Sequence, residues 1–361
     1  MDEIARALLD RIAASPAGGG GDGDGDGDHL VLADHLMQIG HPGWGELIAL
    51  ACAEARGGLT KVQRHRLFLL RGDTRSWLGP VKAVTFRRRF DRGLLVAAGL
   101  DARRRGLIAA SYGHAAWRTV REIALHEHAR WAGHFRPNDE IAALLPRLSA
   151  LAALHGVTID LVRELAGGPP LAIRELGLVL YRHSAEPIYE EAHEILGGPV
   201  FERVRALVLG YGLSRDRRVD PAELEWWLAA APIMRRVEAL DLGYLPELET
   251  WRQALVRSAR PALRICRAHD LGIFFKLARD PAGGWSRLVT RCRDLPSSTS
   301  PFRLEQLERA LAPLAPGALT SLEIQVVPPQ RAEAERRIAR IAAHQPGAAL
   351  EVTCATADES P

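Results

Sequence analysis

The side chains whose types and spacing could hold a metal are His126 and His128, with Glu127 between them and His134 following. Imidazoles and carboxylates bind first-row metals, and a strand would point His126 and His128 to the same side. Alternation sets His126 on an open face beside Glu122 and Ala124, and no carboxylate or cysteine stands at ligand spacing. The expectation is a solvated or partner-contacting strand end and no metal. For nucleophilic catalysis the local pair is Cys266 with His269. Three residues along a strand put two side chains on opposite faces, and a nucleophile needs a base in hydrogen-bond reach plus a third orienting group. Cys266 therefore reads as a core residue. The run GGGGDGDGDGD at 18–28 follows no strand, lacks a GK[ST] ending and would repel phosphate. Its alternating aspartates suggest calcium, but no closing bidentate acid stands at the required offset. The glycine pairs Gly167-Gly168, Gly197-Gly198 and Gly283-Gly284 read as turns. HExxH and GxSxG do not occur. Glu190, Glu191, His193 and Glu194 fall on a helix whose buried stripe is expected at Ile188, Ala192 and Ile195, so these polar groups are read as solvated. No cofactor and no enzymatic activity are expected.

The strongest basic and aromatic patch is Arg87, Arg88, Arg89 and Arg92 with Phe86 and Phe90, and Arg103 to Arg105 follow. Such a patch can track a phosphate backbone, which makes a nucleic-acid-associated adaptor the first alternative reading. The structural reading is an exposed hairpin in which alternation buries Phe86 and leaves Arg87 and Arg89 in water.

These candidates must be positioned by a chain of 361 residues with 47% hydrophobic residues, enough for a buried core without staples. Four scattered cysteines without CxxC pairs read as reduced thiols. The net charge is +3, so charge does not dictate the partner. The N-terminal stretch reads as an amphipathic helix rather than a leader, and no apolar run reaches the roughly 20 residues that cross a bilayer. A cytoplasmic protein without a membrane span is expected.

The fold class expected is α/β, a small helical N-terminal domain leading into a leucine-rich-repeat solenoid. Residues 1–80 form the helical domain, with helices at 2–14 (Ile4, Leu8, Leu9 and Ile12 inward), at HLVLADHLMQIG, at GELIALACAEA and from Thr60 to Trp77. A disordered Gly/Asp loop is expected at 17–28. Residues 81–361 form the array, opened by a capping hairpin at 81–99. Its strands are read at 121–127, 148–154, 173–180, 204–210, 237–243, 262–268, 287–293, 319–326 and 349–355, most of them sharing V/L-x-x-L-x-L. With Ile123, Leu151, Leu176, Leu207, Leu240, Leu263, Leu288, Leu322 and Leu350 as equivalents, the mean step is about 28 residues. Units of that size bury their apolar faces only by stacking, with parallel strands on a concave face and helices outside. The concave-face residues expected to contact a partner protein are Glu122, His126, Glu175, Val179, Val208, Asp241, Arg264, Glu323 and Gln325.

Two segments resemble known families. LVLADHLMQIGHPGWGELIALA, through Leu30, Ala33, Asp34, Leu36, Gly40, Pro42, Glu46 and Ile48, resembles the bacterial repeat-companion domain. Trp77, Leu78, Gly79 and Pro80 followed by FRRRFDRGLL continue the likeness over roughly residues 1–100. His35 and His41 stand where that family usually carries Trp and Asp. The strand units are similar to longer, helix-bearing leucine-rich repeats of the ribonuclease-inhibitor type, but Asn138 is the sole asparagine, so the usual turn asparagine is missing. The resemblances imply a non-catalytic scaffold or adaptor in bacteria. A regulatory subunit of an enzyme or defence complex is the second alternative.

Overall fold

The computed structural model describes residues 1–15, 26–102, 104, 106–126, 139–179, 188–209, 221–244, 254–255, 257, 260–270, 273–279, 285–293, 308–309, 311–312, 319–326 and 331–354. Residues 17–25 of the expected loop, with Arg103, Arg105, Glu127, His128, His134, Gly283 and Gly284, lie outside them. The protein is mixed α/β, with strands that pair mostly in parallel. Its contacts divide into two compact units, residues 1–176 with 199–203, and residues 177–198 with 204–361. The expected boundary at residue 80 falls inside the first.

In the first unit, α1 (Glu3–Ala14) is capped by the Asp2 carboxylate, which accepts from the Ala5 N–H, and buries Ala5, Leu8, Leu9 and Ile12. Ile4, expected inward, is exposed. α2 (Gly27–Gln38) and α3 (Pro42–Ala55) cross at Gly45, where a Cβ would come within 2.4 Å of the Ala33 carbonyl oxygen. α4 (Lys61–Gly72) opens on a capping box of Thr60 and Gln63. The short helices α5 (Arg75–Leu78) and α6 (Pro80–Val84) follow, with Gly79 at φ +47 between them. The hairpin therefore begins later than 81: residues 81–84 are helical, and the strands are β1 (Thr85–Asp91) and β2 (Leu94–Asp101).

That hairpin packs on the helices. The Trp44 indole N–H donates to the Gly93 carbonyl at 3.4 Å, and Trp44 stacks on Trp77, which meets the Phe90 ring edge-on. Asp26 stands at the N-cap position of α2 without a side-chain capping hydrogen bond, and Gly27 and Asp28, expected in the loop, are helical. The Asp26 carboxylate, 9% exposed, pairs with Arg92 and lies 3.5 Å from the Arg56 guanidinium. Replacing Asp26 by alanine leaves Arg92 without its main partner, so urea denaturation should record a loss of about 2 kcal/mol, discounted for the exposure of both arginines.

After β2 come α7 (Leu107–Ala110), β3 (Glu122–His126), α8 (Asp139–Leu144), β4 (Ala153–Val157), α9 (Ile159–Glu164) and β5 (Glu175–Leu178). Entry to β4 and to β5 uses one device. The N–H groups of Ala152 and Ala153 both donate to the Arg121 carbonyl, and those of Arg174 and Glu175 both donate to that of Ala152. The second unit repeats it, with Glu238 and Ala239 on the Arg205 carbonyl and Arg264 and Ile265 on that of Glu238. Backbone donors that a turn would otherwise strand are thereby satisfied.

The second unit holds α10 (Ile188–Gly197), β6 (Ala206–Leu209), α11 (Pro221–Ala230), β7 (Ala239–Tyr244), β8 (Ile265–Asp270), β9 (Ile273–Arg279), β10 (Trp285–Arg293), β11 (Leu319–Val326), α12 (Arg331–His344) and β12 (Ala349–Cys354). Pairs β6/β7, β7/β8, β10/β11 and β11/β12 are parallel. IFFKLAR, not expected as a strand, forms β9 and pairs antiparallel with both β8 and β10. The expected direct step from 262–268 to 287–293 is thus replaced by a meander.

Register corrects three of the nine equivalents. Ile123 pairs with Leu154 rather than Leu151, Leu240 with Cys266 rather than Leu263, and Leu322 with Thr290 rather than Leu288. Leu151 and Leu263 are fully buried just before their strands. Leu207 with Leu240 and Leu322 with Leu350 pair as expected.

Candidate binding face

Alternation along each strand splits its side chains between the core and a second, open face. In the first unit Ile123, Leu125, Leu154 and Leu176 are core, while Glu122, Ala124, Ala153 and Glu175 are partly exposed. Arg89 sits opposite Ala97 on β2, Ala97 beside Glu122 on β3, and Glu122 beside Ala153 on β4. The Arg89 guanidinium donates to the Glu122 carboxylate at 2.9 Å. The next row carries Phe86, Gly99, Ala124 and His155. Gly99 is required there, because a Cβ would lie 2.4 Å from the Phe86 ring. His155 is buried, with Nε2 3.6 Å from the Glu175 carboxylate, an electrostatic contact longer than a good hydrogen bond.

Phe86 was expected in the core and Arg87 and Arg89 in water. Register shifts between Phe86 and Phe90 break the alternation, with Arg87 at φ +43. Phe86 is consequently half-buried over Gly99, and Arg88 is half-buried, its guanidinium pKa pulled down by desolvation. Arg89 is held by Glu122, and Arg92 by Asp26 and Asp91. Three of the four cations expected to form a free basic patch are therefore paired or partly desolvated.

In the second unit Leu207, Leu240, Leu242, Cys266, Phe275, Leu277, Leu322 and Ile324 are core. One open row runs Val208, Asp241, Arg267, Lys276 and Val289 across β6 to β10. Val208 and Asp241 are half-buried, and Arg267 and Lys276 are exposed. The Asp241 carboxylate accepts from the Gly243 N–H at 2.8 Å. In the next row Arg291 stands in register with Glu323, and Glu323 with Glu351.

Glu122, Glu175, Val208, Asp241 and Glu323 thus stand at partly exposed positions of their strands. His126 closes β3 opposite Asp101, and Gln325 lies in register with Thr353. Two expectations are overturned. Val179 is 8% exposed and belongs to packing. Arg264 precedes β8, and the residue set beside Asp241 is Arg267. His155, Phe86 and Lys276 were not anticipated; His155 because β4 was placed at 148–154, and Lys276 because β9 was not read as a strand.

His193, read as solvated, is 3% exposed, with its ring centroid 4.0 Å from that of Trp226 and 4.2 Å from that of Trp227. Burial pushes its pKa down to about 4. Cys52 and Cys266 are buried, and desolvation raises the Cys52 pKa to about 11, so that thiol stays protonated and a poor nucleophile. Among the described residues no group of three His, Cys, Asp or Glu side chains could hold a metal ion, and no helix is long and apolar enough to cross a membrane. No protein-family model and no curated protein matches the chain.

Proposed function

We propose that the chain is a non-catalytic scaffold that recognises a partner protein through the open strand faces of a degenerate leucine-rich-repeat array, with a helical domain of the repeat-companion kind at its N-terminus. The observation that carries this reading is the asymmetry of the parallel strands. In β3, β6, β7 and β8 one set of alternating positions is core and the other is partly or fully exposed, whereas β4 is open only at Ala153. Parallel sheets wound on both sides by helices are buried on both faces and need near-continuous apolar strands. Glu122, Asp241 and Arg267 stand where such a sheet would need apolar groups. A surface mixing small, apolar and charged side chains suits a protein partner, whereas a small ligand calls for a concave, mostly apolar pocket.

Site-specific photo-crosslinking in the native host tests this. A photoreactive residue at Val208 should label a partner, and the same residue at Arg336, 74% exposed on α12, should not. Adducts formed only from position 336 would place recognition on the helices and sink the reading.

A further inference from the structure

The meander β8–β9–β10 gathers charge that the linear sequence disperses. Its three strands carry Arg267, Lys276, Arg279, Arg287, Arg291 and Arg293 against the single carboxylate of Asp270, six cations to one anion or +5. The whole chain is +3, so everything outside the meander is net −2. Arg267 and Lys276 are paired in register on neighbouring strands and exposed, while Phe275 and Leu277, on the other face of β9, are buried. Lys276 is in register with Val289 on β10, and Arg291 follows two residues on, opposite Phe274. Asp241 borders the stripe on β7, and Glu323 with Glu351 border it on β11 and β12.

We infer that this stripe, Arg267 and Lys276 with the β10 arginines, docks an extended acidic segment of a partner protein. The inference rests on reading the open strand face as the binding surface. Width selects the occupant. Strands lie about 4.8 Å apart, so three of them make a band roughly 10 Å across, and carboxylates stand on both sides of it. A duplex carries phosphates on two strands and would bring one of them over Asp241 or Glu323. A single extended chain fits between those borders. Alternate residues of an extended peptide repeat every 6.6 to 6.8 Å, the same period as alternate positions of a strand, so acids at every second position keep step with the strands beneath them. Guanidinium groups bind carboxylates in a bidentate fork, which suits an arginine-rich stripe.

The probe is a short fluorescent peptide of alternating aspartate and serine, titrated into the full chain at low salt. A control peptide has asparagine for aspartate, and a thymidine oligonucleotide has the same charge. The acidic peptide should bind and the control should not, with affinity falling as salt rises to about 0.5 M. R267E with K276E should weaken binding by about tenfold or more, and R267Q with K276Q by less, since both side chains are exposed and their loss spares the core. Equal or tighter binding of the oligonucleotide overturns the inference in favour of nucleic acid, and so does peptide binding that ignores the charge reversal. If crosslinking from Val208 still labels its partner in R267E/K276E, the acidic segment is wrong and the scaffold reading stands. If neither peptide nor partner engages the open face of the wild-type chain, both fall.

Discussion

Replacing Gly156 by alanine should lower stability by about 3 kcal/mol, whereas the same change at Gly167 should cost about 1 kcal/mol. Both glycines have left-handed backbones, φ +76 and +75, so both substitutions carry the same conformational penalty. They differ in what a Cβ would meet. At Gly156 it would stand 2.3 Å from the Leu125 carbonyl oxygen on β3, a backbone atom that moves only if the strand moves, while at Gly167 it enters open space. The close approach falls just past the last register pair of β3 and β4, Ala124 with His155, while Gly156 still lies within β4. G156A should also shift His155 away from Glu175 and so disturb the candidate face. Urea midpoints of the two variants decide it: equal losses would show that the φ angle alone matters and that the contact with β3 is relieved without cost.

How much of this was legible in the sequence depended on which signal set the register. β11 stands where its pattern places it, because an apolar alternation specifies one face without help from neighbours. The V/L-x-x-L-x-L pattern identifies strands but not their starts, since its first leucine can be buried in the turn that enters the strand, as Leu151 and Leu263 are. A slip of that kind by an odd number of residues turns every later side chain to the opposite face. This is why Arg264 was chosen over Arg267. In β9 the alternation was present, Phe275 and Leu277 in and Lys276 out, but a template of parallel repeats has no place for an antiparallel strand. His155 was missed for the same reason as Leu151 was misplaced. The Asp26 ion pair with Arg92 spans 66 residues and leaves no local trace. The bulge that pulls Phe86 over Gly99 is likewise invisible, because it depends on how β1 meets β2.

His193 was missed through a rotation of the helix by one position, and it carries the second large effect. The expected inward stripe included Ile195, yet the buried residues of the last turns are His193 and Leu196, roughly 100° round the axis. Packed against Trp226 and Trp227, the imidazole is neutral in the folded chain, with its pKa lowered from 6.5 to about 4 by burial. The unfolded chain takes up a proton near pH 6.5 that the folded chain refuses until about pH 4. Stability from this group is therefore complete above pH 6.5 and falls as pH drops through the window from 6.5 to 4, by about 3 kcal/mol in all. Carboxylates titrate at the lower end of the same window, so the measurement is a difference between proteins. His193→Phe keeps a flat ring against the two tryptophans and removes the titration. Its stability relative to the wild type should rise steadily as pH falls from 6.5 to 4.5 and stay level between 7 and 8. A constant difference across the whole range would mean that His193 takes up its proton at the same pH in the folded and the unfolded chain, so that burial against the tryptophans does not exclude the cation.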